Sequence, residues 1–471
     1  MRRLRLAGLN AALIPAIFAS AICQITQRPQ ALPAPGRIGN VICVSDPAQS
    51  YALYLPSGYN PVRSWPIIYF FDPGGKGGRP LQLYKELAEK YGIIFAGSNN
   101  SRNFSTDQAH SVNAMWVDTH VRLNLDERRM YASGFSGGAR VAGAMAVHCA
   151  NCKIAGVIAH GAGYPGGTTE SNSRFLYYFA VGNRDFNWPE VMAIRRAREQ
   201  HKVPCRVREY SGTHQWAPNL VMEDAIQWMQ LKAMQAGVLP PNRQFIDGYF
   251  QSMQAETEDA VKRNDVLGQY YAYSSLSSDF SPFESVDVAE RNLASLKRSS
   301  ELRKALKQER EQMDEQLGLE AEISDKIKVY LDGTSSDPLR LRTEILQAMA
   351  RLQREAENST PQSRSLIFGR ALDDMWVMGM EDGQQELEAR HFEKAEACFE
   401  LMQQIRSDPW PALLLAETHT AAGNKRQALL DLEEAVRRGL KDADAIESDP
   451  RLQVLKSDSE FQKLLAGLKH D

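Results

Sequence analysis

From about residue 41 to residue 236, short apolar runs alternate with amphipathic stretches. Residues 51–56 (YALYLP) read as a strand that stops at proline, and residues 66–71 (PIIYFF) are apolar almost without a break, as in a strand buried on both faces. Similar runs fall at 93–97, 129–133, 154–159, 175–181 and 203–210. Helical periodicity lies between them at 81–91, through Met115 and Val121, at 139–147 and at 189–200. Strand and helix in turn predict an α/β fold, a mostly parallel sheet with helices on both faces. In such a sheet ligands bind beyond the carboxyl ends of the strands, so chemistry is expected in the loops that follow them. After Pro240-Pro241 the pattern changes to charged, Leu/Ala-rich helical periodicity, which predicts an all-α region to the end. Residues 292–318 form one long charged helix in this reading, its charges a solvated face.

Near the C-terminus Phe392, Ala395, Phe399 and Met402 are followed 33 residues later by Lys425, Ala428, Leu432 and Ala435, with Pro409 and Gly423 between helices. This resembles tetratricopeptide repeats, a likeness that implies paired helices and a protein or peptide partner. Two such units are fewer than repeats need to stand alone, so the helices between 242 and 380 are expected to stack with them or to lean on the sheet unit.

Composition adds bounds rather than chemistry. A chain of 471 residues is long for one core, and 43% hydrophobic with 24% charged residues is the balance of a globular protein. A net charge of −3 gives no reason to expect nucleic acid as a partner. Residues 1–22 begin Met-Arg-Arg-Leu-Arg, continue as an apolar run and carry Ala19-Ser20-Ala21, a small-x-small cleavage site. They read as a secretory signal peptide, which predicts an exported protein; the alternative is an N-terminal membrane anchor. Residues 23–40 then read as a Pro/Gln-rich linker. Among Cys43, Cys149, Cys152, Cys205 and Cys398, the C-x-x-C pair at 149 and 152 either closes on itself or pairs with Cys43 or Cys205. No second pair supports a metal site, and none is expected.

The candidate chemistry starts at Gly134-Phe-Ser-Gly-Gly138, set between a strand and a small-residue helix. A G-x-S-x-G in that context lifts the Ser136 hydroxyl on a strained turn, while the Gly137 N–H at the helix start faces the place where an oxyanion would form. The loop Asp72-Pro-Gly-Gly-Lys-Gly-Gly78 follows another strand. It lacks the Gly-Lys-Ser/Thr of a phosphate loop, so an N–H of Gly74 or Gly75 is expected to complete the oxyanion hole. A serine nucleophile needs a base and an orienting carboxylate. Asp185 lies just past one strand and His214 past the last, in the order Ser, Asp, His. Glu190 and His160 are the reserve acid and base, and Trp188 and Trp216, beside two of these loops, are candidates for lining a substrate pocket.

Together, the strand at 51–56, Asp-Pro-Gly-Gly, residues 126–131 leading into Gly-Phe-Ser-Gly-Gly, Val-Gly-Asn-Arg-Asp and Gly-Thr-His-Gln-Trp-Ala-Pro resemble the α/β-hydrolase esterases of the polyhydroxybutyrate depolymerase and feruloyl esterase group. The resemblance implies a Ser136–Asp185–His214 triad, an acyl-enzyme, no metal or cofactor, and a small-molecule or polymer ester as substrate. It departs from that group in showing no obvious lid insertion. The expected organisation is a hydrolase domain at 41–238, a helical region at 242–380 and a tetratricopeptide-like region at 381–471. Two other readings use the same residues: a serine peptidase on this fold, and a scaffold whose helices recruit a partner while the hydrolase frame is idle.

Overall fold

The computed structural model describes residues 31–149, 151–164, 175–201, 203–360 and 362–470. The signal peptide expected at 1–22, and residues 23–30 of the expected linker, lie outside the described residues. No described helix is long and apolar enough to cross a membrane.

Eight strands form one sheet: β1 (Ile38–Ile42), β2 (Ser50–Tyr54), β3 (Trp65–Phe71), β4 (Ile94–Ser98), β5 (Leu125–Phe135), β6 (Gly156–His160), β7 (Leu176–Gly182) and β8 (Cys205–Tyr210). Their order is β1-β2-β4-β3-β5-β6-β7-β8. β2 runs antiparallel to both its neighbours, and every other pairing is parallel. This is the mostly parallel sheet that the alternation predicts. The linker expected to reach residue 40 is shorter than that, because Ile38–Asn40 already pair with β2, and Val41 beside them is fully buried.

Alternation along β3 shows how the sheet separates two cores. Ile67, Tyr69 and Phe71 face one core, which includes residues of α2 (Gln108–Arg122), α3 (Gly137–His148) and α4 (Trp188–Gln200). Ile68 and Phe70 face the other, with α1 (Gly78–Tyr91) and α5 (Asn219–Gln235). The apolar run at 66–71 is thus buried on both sides, as a central parallel strand must be.

The all-α region begins at α6 (Arg243–Lys262), whose first turn is capped by Asn242 accepting from the Phe245 N–H. It is not a separate body. Ile246, Tyr249 and Met253 of α6, with Leu276 and Phe280 of α7 (Val266–Phe280), complete the second core against the sheet. Then come α8 (Asp287–Arg298), α9 (Ser300–Leu331), α10 (Pro338–Asn358) and α11 (Gln362–Glu388). The expected division at 380/381 falls inside α11, one continuous helix. Further on, α12 (Phe392–Ile405) and α13 (Trp410–Ala421) are followed by α14 (Lys425–Arg437) and α15 (Ala443–Ser448), and α16 (Ser459–His470) ends the described chain. The starts of α14 and α15 follow those of α12 and α13 at the spacing that the sequence shows between Phe392 and Lys425. Cys149 and Cys152 are joined in a disulfide, and Cys43, Cys205 and Cys398 are free.

Candidate active site

The turn from β5 into α3 puts Ser136 at φ 53° and ψ −123°, a strained conformation for a residue with a side chain. Two close backbone approaches hold it there. A Cβ on Gly134 would sit 2.1 Å from the Gly138 carbonyl oxygen, and one on Gly138 would sit 2.0 Å from that of Phe71. The glycines flanking the serine are therefore a packing requirement. The Ser136 N–H donates to the His160 carbonyl at 2.9 Å, which ties the turn to the end of β6.

Asp185 and His214 come to this turn from the loops after β7 and β8. His214 Nε2 lies 2.8 Å from Ser136 Oγ, and His214 Nδ1 lies 2.9 Å from Asp185 Oδ1. With Nδ1–H donating to the carboxylate, Nε2 is left to accept the serine proton. Asp185 is fully buried, and its Oδ1 also accepts from the Asn187 N–H at 2.9 Å. Phe135 and Phe186 flank the imidazole, with ring centroids 4.5 and 4.1 Å away. The Gly137 N–H, first of α3, has no acceptor among the described residues and carries the positive end of the helix dipole.

The reserve residues have other tasks. His160 is fully buried against Tyr84 and Trp216, and burial pushes its pKa down to about 3, so it is a neutral core histidine. Glu190 pairs with Arg140 at 2.7 Å, and burial raises its pKa.

The two glycines expected in the oxyanion hole are engaged elsewhere. Gly74 N–H donates to Asp72 Oδ1 and Gly75 N–H to the Asp72 carbonyl, both at 2.9 Å, because Asp72 folds the loop back on itself. The two tryptophans do not line the pocket at the serine either. Trp216 is buried and donates its indole N–H to Asp72 Oδ2 at 3.1 Å. Trp188 donates to Glu209 Oε2 at 2.6 Å and lies under the Arg370 guanidinium, 4.3 Å from its ring centre. An indole beside a site has a polar edge that structure can use as readily as substrate can.

Ser136 and Gly137 open onto a cavity of about 820 Å³. Its apolar wall includes Phe104, Val112, Met145 and Phe186. The cavity is also lined by α11, which presents Asp374, Val377, Met378 and Glu381 at helical spacing, one stripe of one helix. Burial, with the Glu381 charge nearby, raises the pKa of Asp374 to about 6, and burial also raises that of Glu381. The helices grip the loop that carries Asp185 as well. Gln316 of α9 donates to the Phe186 carbonyl at 3.0 Å, Arg370 of α11 donates to the Asn183 carbonyl at 3.0 Å, and Arg370 Nε donates to Gln316 Oε1 at 2.7 Å. Both side chains are buried. Part of the cavity wall thus comes from the all-α region, from residues of α11 that belong to no catalytic motif. The stripe 374–377–378–381 is the one signal of it in the sequence.

No family model matches the chain, and no curated protein does. Solved structures similar to it include a ferulic acid esterase, 13% identical over 41% of this chain and 96% of that one, with a TM-score of 0.34. Another is an S-formylglutathione hydrolase, FrmB, of Staphylococcus aureus, at 12% identity, 42% and 99% coverage and a TM-score of 0.35. A third is esterase 2 of Thermogutta terrifontis, at 15% identity, 45% and 99% coverage and a TM-score of 0.34. Likenesses this distant decide nothing about chemistry, which has to be argued from the geometry of Ser136 and its neighbours.

Proposed function

We propose that this chain is a serine hydrolase of carboxylic esters that works through an acyl-enzyme on Ser136. The observation that carries the reading is the unbroken relay from Ser136 Oγ through both His214 nitrogens to buried Asp185, opening on a cavity beside the free Gly137 N–H. Ser136 Oγ attacks the ester carbonyl as its proton passes to His214 Nε2, and Asp185 stabilises the imidazolium. The carbonyl electron pair moves to oxygen, where the Gly137 N–H receives it. Collapse of the tetrahedral intermediate expels the alcohol, which takes the proton from His214. Water, deprotonated by the same nitrogen, then releases the acid and restores the serine.

The apolar walls of the cavity suit an aromatic or branched acyl group, such as a phenolic acid, better than a bare sugar. Export directed by residues 1–22 is part of the proposal and rests on their charge and hydropathy pattern. A scaffold with an idle frame is less favoured, because α11 faces the serine cavity.

The test is labelling of the purified protein by a fluorophosphonate, followed by hydrolysis of matched ester and amide substrates. Wild type is expected to label and to hydrolyse esters, while Ser136→Ala and His214→Ala lose both, with kcat down on the order of 10⁶-fold. A folded wild type that does not label sinks the proposal; amides cleaved as fast as esters would turn it into a peptidase.

A further inference from the structure

An oxyanion hole needs at least two donors aimed at one point, and Gly137 supplies one. The Gly74 and Gly75 N–H groups are held by Asp72. Three independent features direct attention to Asn103, in the loop between β4 and α2. Its side-chain amide lies against Gly137 so closely that a Cβ there would be 1.9 Å from Oδ1 and 3.0 Å from Nδ2. The next residue, Phe104, stands at φ 62°, a left-handed conformation that costs a bulky side chain energy and recurs at functional sites. Asn103 Nδ2 also donates to Glu381 Oε1 at 3.2 Å, from α11, 278 residues away. The loop is anchored at its root as well, since the Asn103 N–H donates to the Pro73 carbonyl at 2.8 Å.

An amide nitrogen carries two protons, and Glu381 engages one of them. We propose that the Asn103 side-chain amide is the second oxyanion donor, held in register by Glu381 of the helical region. The proposal rests on the hydrolase reading above and deepens it. As Ser136 Oγ bonds to the carbonyl carbon and the carbonyl π pair moves to oxygen, the free Nδ2–H and the Gly137 N–H converge on the oxyanion. Glu381 does not touch substrate; it is a positioning residue, and through it the helices contribute to the chemistry. The same geometry explains why position 137 is glycine: any side chain would displace Asn103.

The experiment compares wild type, Asn103→Ala, Glu381→Ala and Glu381→Gln. The readouts are kcat and KM on a p-nitrophenyl ester, inhibition by a trifluoromethyl ketone that forms a tetrahedral adduct, and fluorophosphonate labelling of wild type and Ser136→Ala. Asn103→Ala is expected to lower kcat by about 10²-fold with little change in KM, and to weaken the ketone by a similar factor. Glu381→Ala is expected to lower kcat by a smaller factor, about 10-fold, and Glu381→Gln, which keeps an oxygen for the same bond, to recover most of it. Should Asn103→Ala fail to fold, the Glu381 pair carries the test. A kcat that stays within about threefold of wild type in a folded Asn103→Ala overturns the inference, and Ser136-dependent labelling then shows the hydrolase reading still standing. A raised KM with kcat unchanged overturns it too, because that marks ordinary substrate binding. A wild type that neither labels nor hydrolyses overturns both.

Discussion

Ser136 is positioned by main chain, whereas the loops around it are held by side chains from the helices. The elbow is fixed by the parallel ladder on β5, by the bond from Ser136 N–H to His160 and by glycine backbones in van der Waals contact. The acid loop is gripped by Gln316 and Arg370, and the Asn103 loop by Glu381. Backbone positioning fails abruptly when one atom is added. Side-chain positioning fails by degrees, because each grip is one hydrogen bond among several.

The sharpest way to break the first kind is Gly134→Ala. Its methyl group has to displace the Gly138 carbonyl, so the variant should lose fluorophosphonate labelling altogether and about 3 kcal/mol or more of stability. A labelled, stable Gly134→Ala would mean that the elbow is looser than this packing. For the second kind, Gln316→Ala leaves the Phe186 carbonyl and the Arg370 guanidinium short of a partner in a buried place. A loss of about 1–3 kcal/mol is expected in denaturant titration. The activity should fall by up to about 10²-fold as Asp185 shifts, without being abolished. If kcat is unchanged, the grip is structural only.

The effect confined to the ends of the pH range is a difference in pH response. Burial holds the His160 pKa near 3 against an ordinary 6.5, so the unfolded chain takes up a proton that the folded chain refuses, and stability falls as pH drops from about 6.5 towards 3. Burial and the nearby Asp374 raise the Glu320 pKa from 4.5 to about 8. Here the folded chain keeps a proton that the unfolded chain releases, so stability falls as pH rises from about 4.5 through 8. Each proton is worth a slope of about 1.4 kcal/mol per pH unit at most. His160→Phe should flatten the acid side of the stability profile and Glu320→Gln the alkaline side. If either variant left both slopes unchanged, its group would not be titrating as its surroundings dictate.

The same contrast explains what could be read without coordinates. Ser136, Asp185 and His214 carry local marks, a glycine-framed turn and two strand ends in a fixed order, and the structure brings them within hydrogen-bonding distance. Gln316 and Arg370 carry none, since their partners lie 130 and 187 residues away, and Glu381 carries only its place in the stripe 374–377–378–381, its partner being 278 residues away. The engagement of Gly74 was within reach of the sequence, because Asp72, two positions before it, is the residue type whose side chain captures the N–H two positions on. Trp188 and Trp216 were not: whether an indole faces a cavity or a buried carboxylate depends on layers that no short stretch encodes.

The grip on the Asn183–Phe186 carbonyls sets a limit on cutting and splicing. Pro240-Pro241 marks a clear change of grammar along the chain, and an engineer would cut there to obtain a smaller protein. Such a cut would strip the second core of α6 and α7 and release the acid loop from its anchors. The helical half is no detachable cassette: transplanted to another sheet of this kind, it would need a recipient whose loop after the seventh strand offers carbonyls at the same two places.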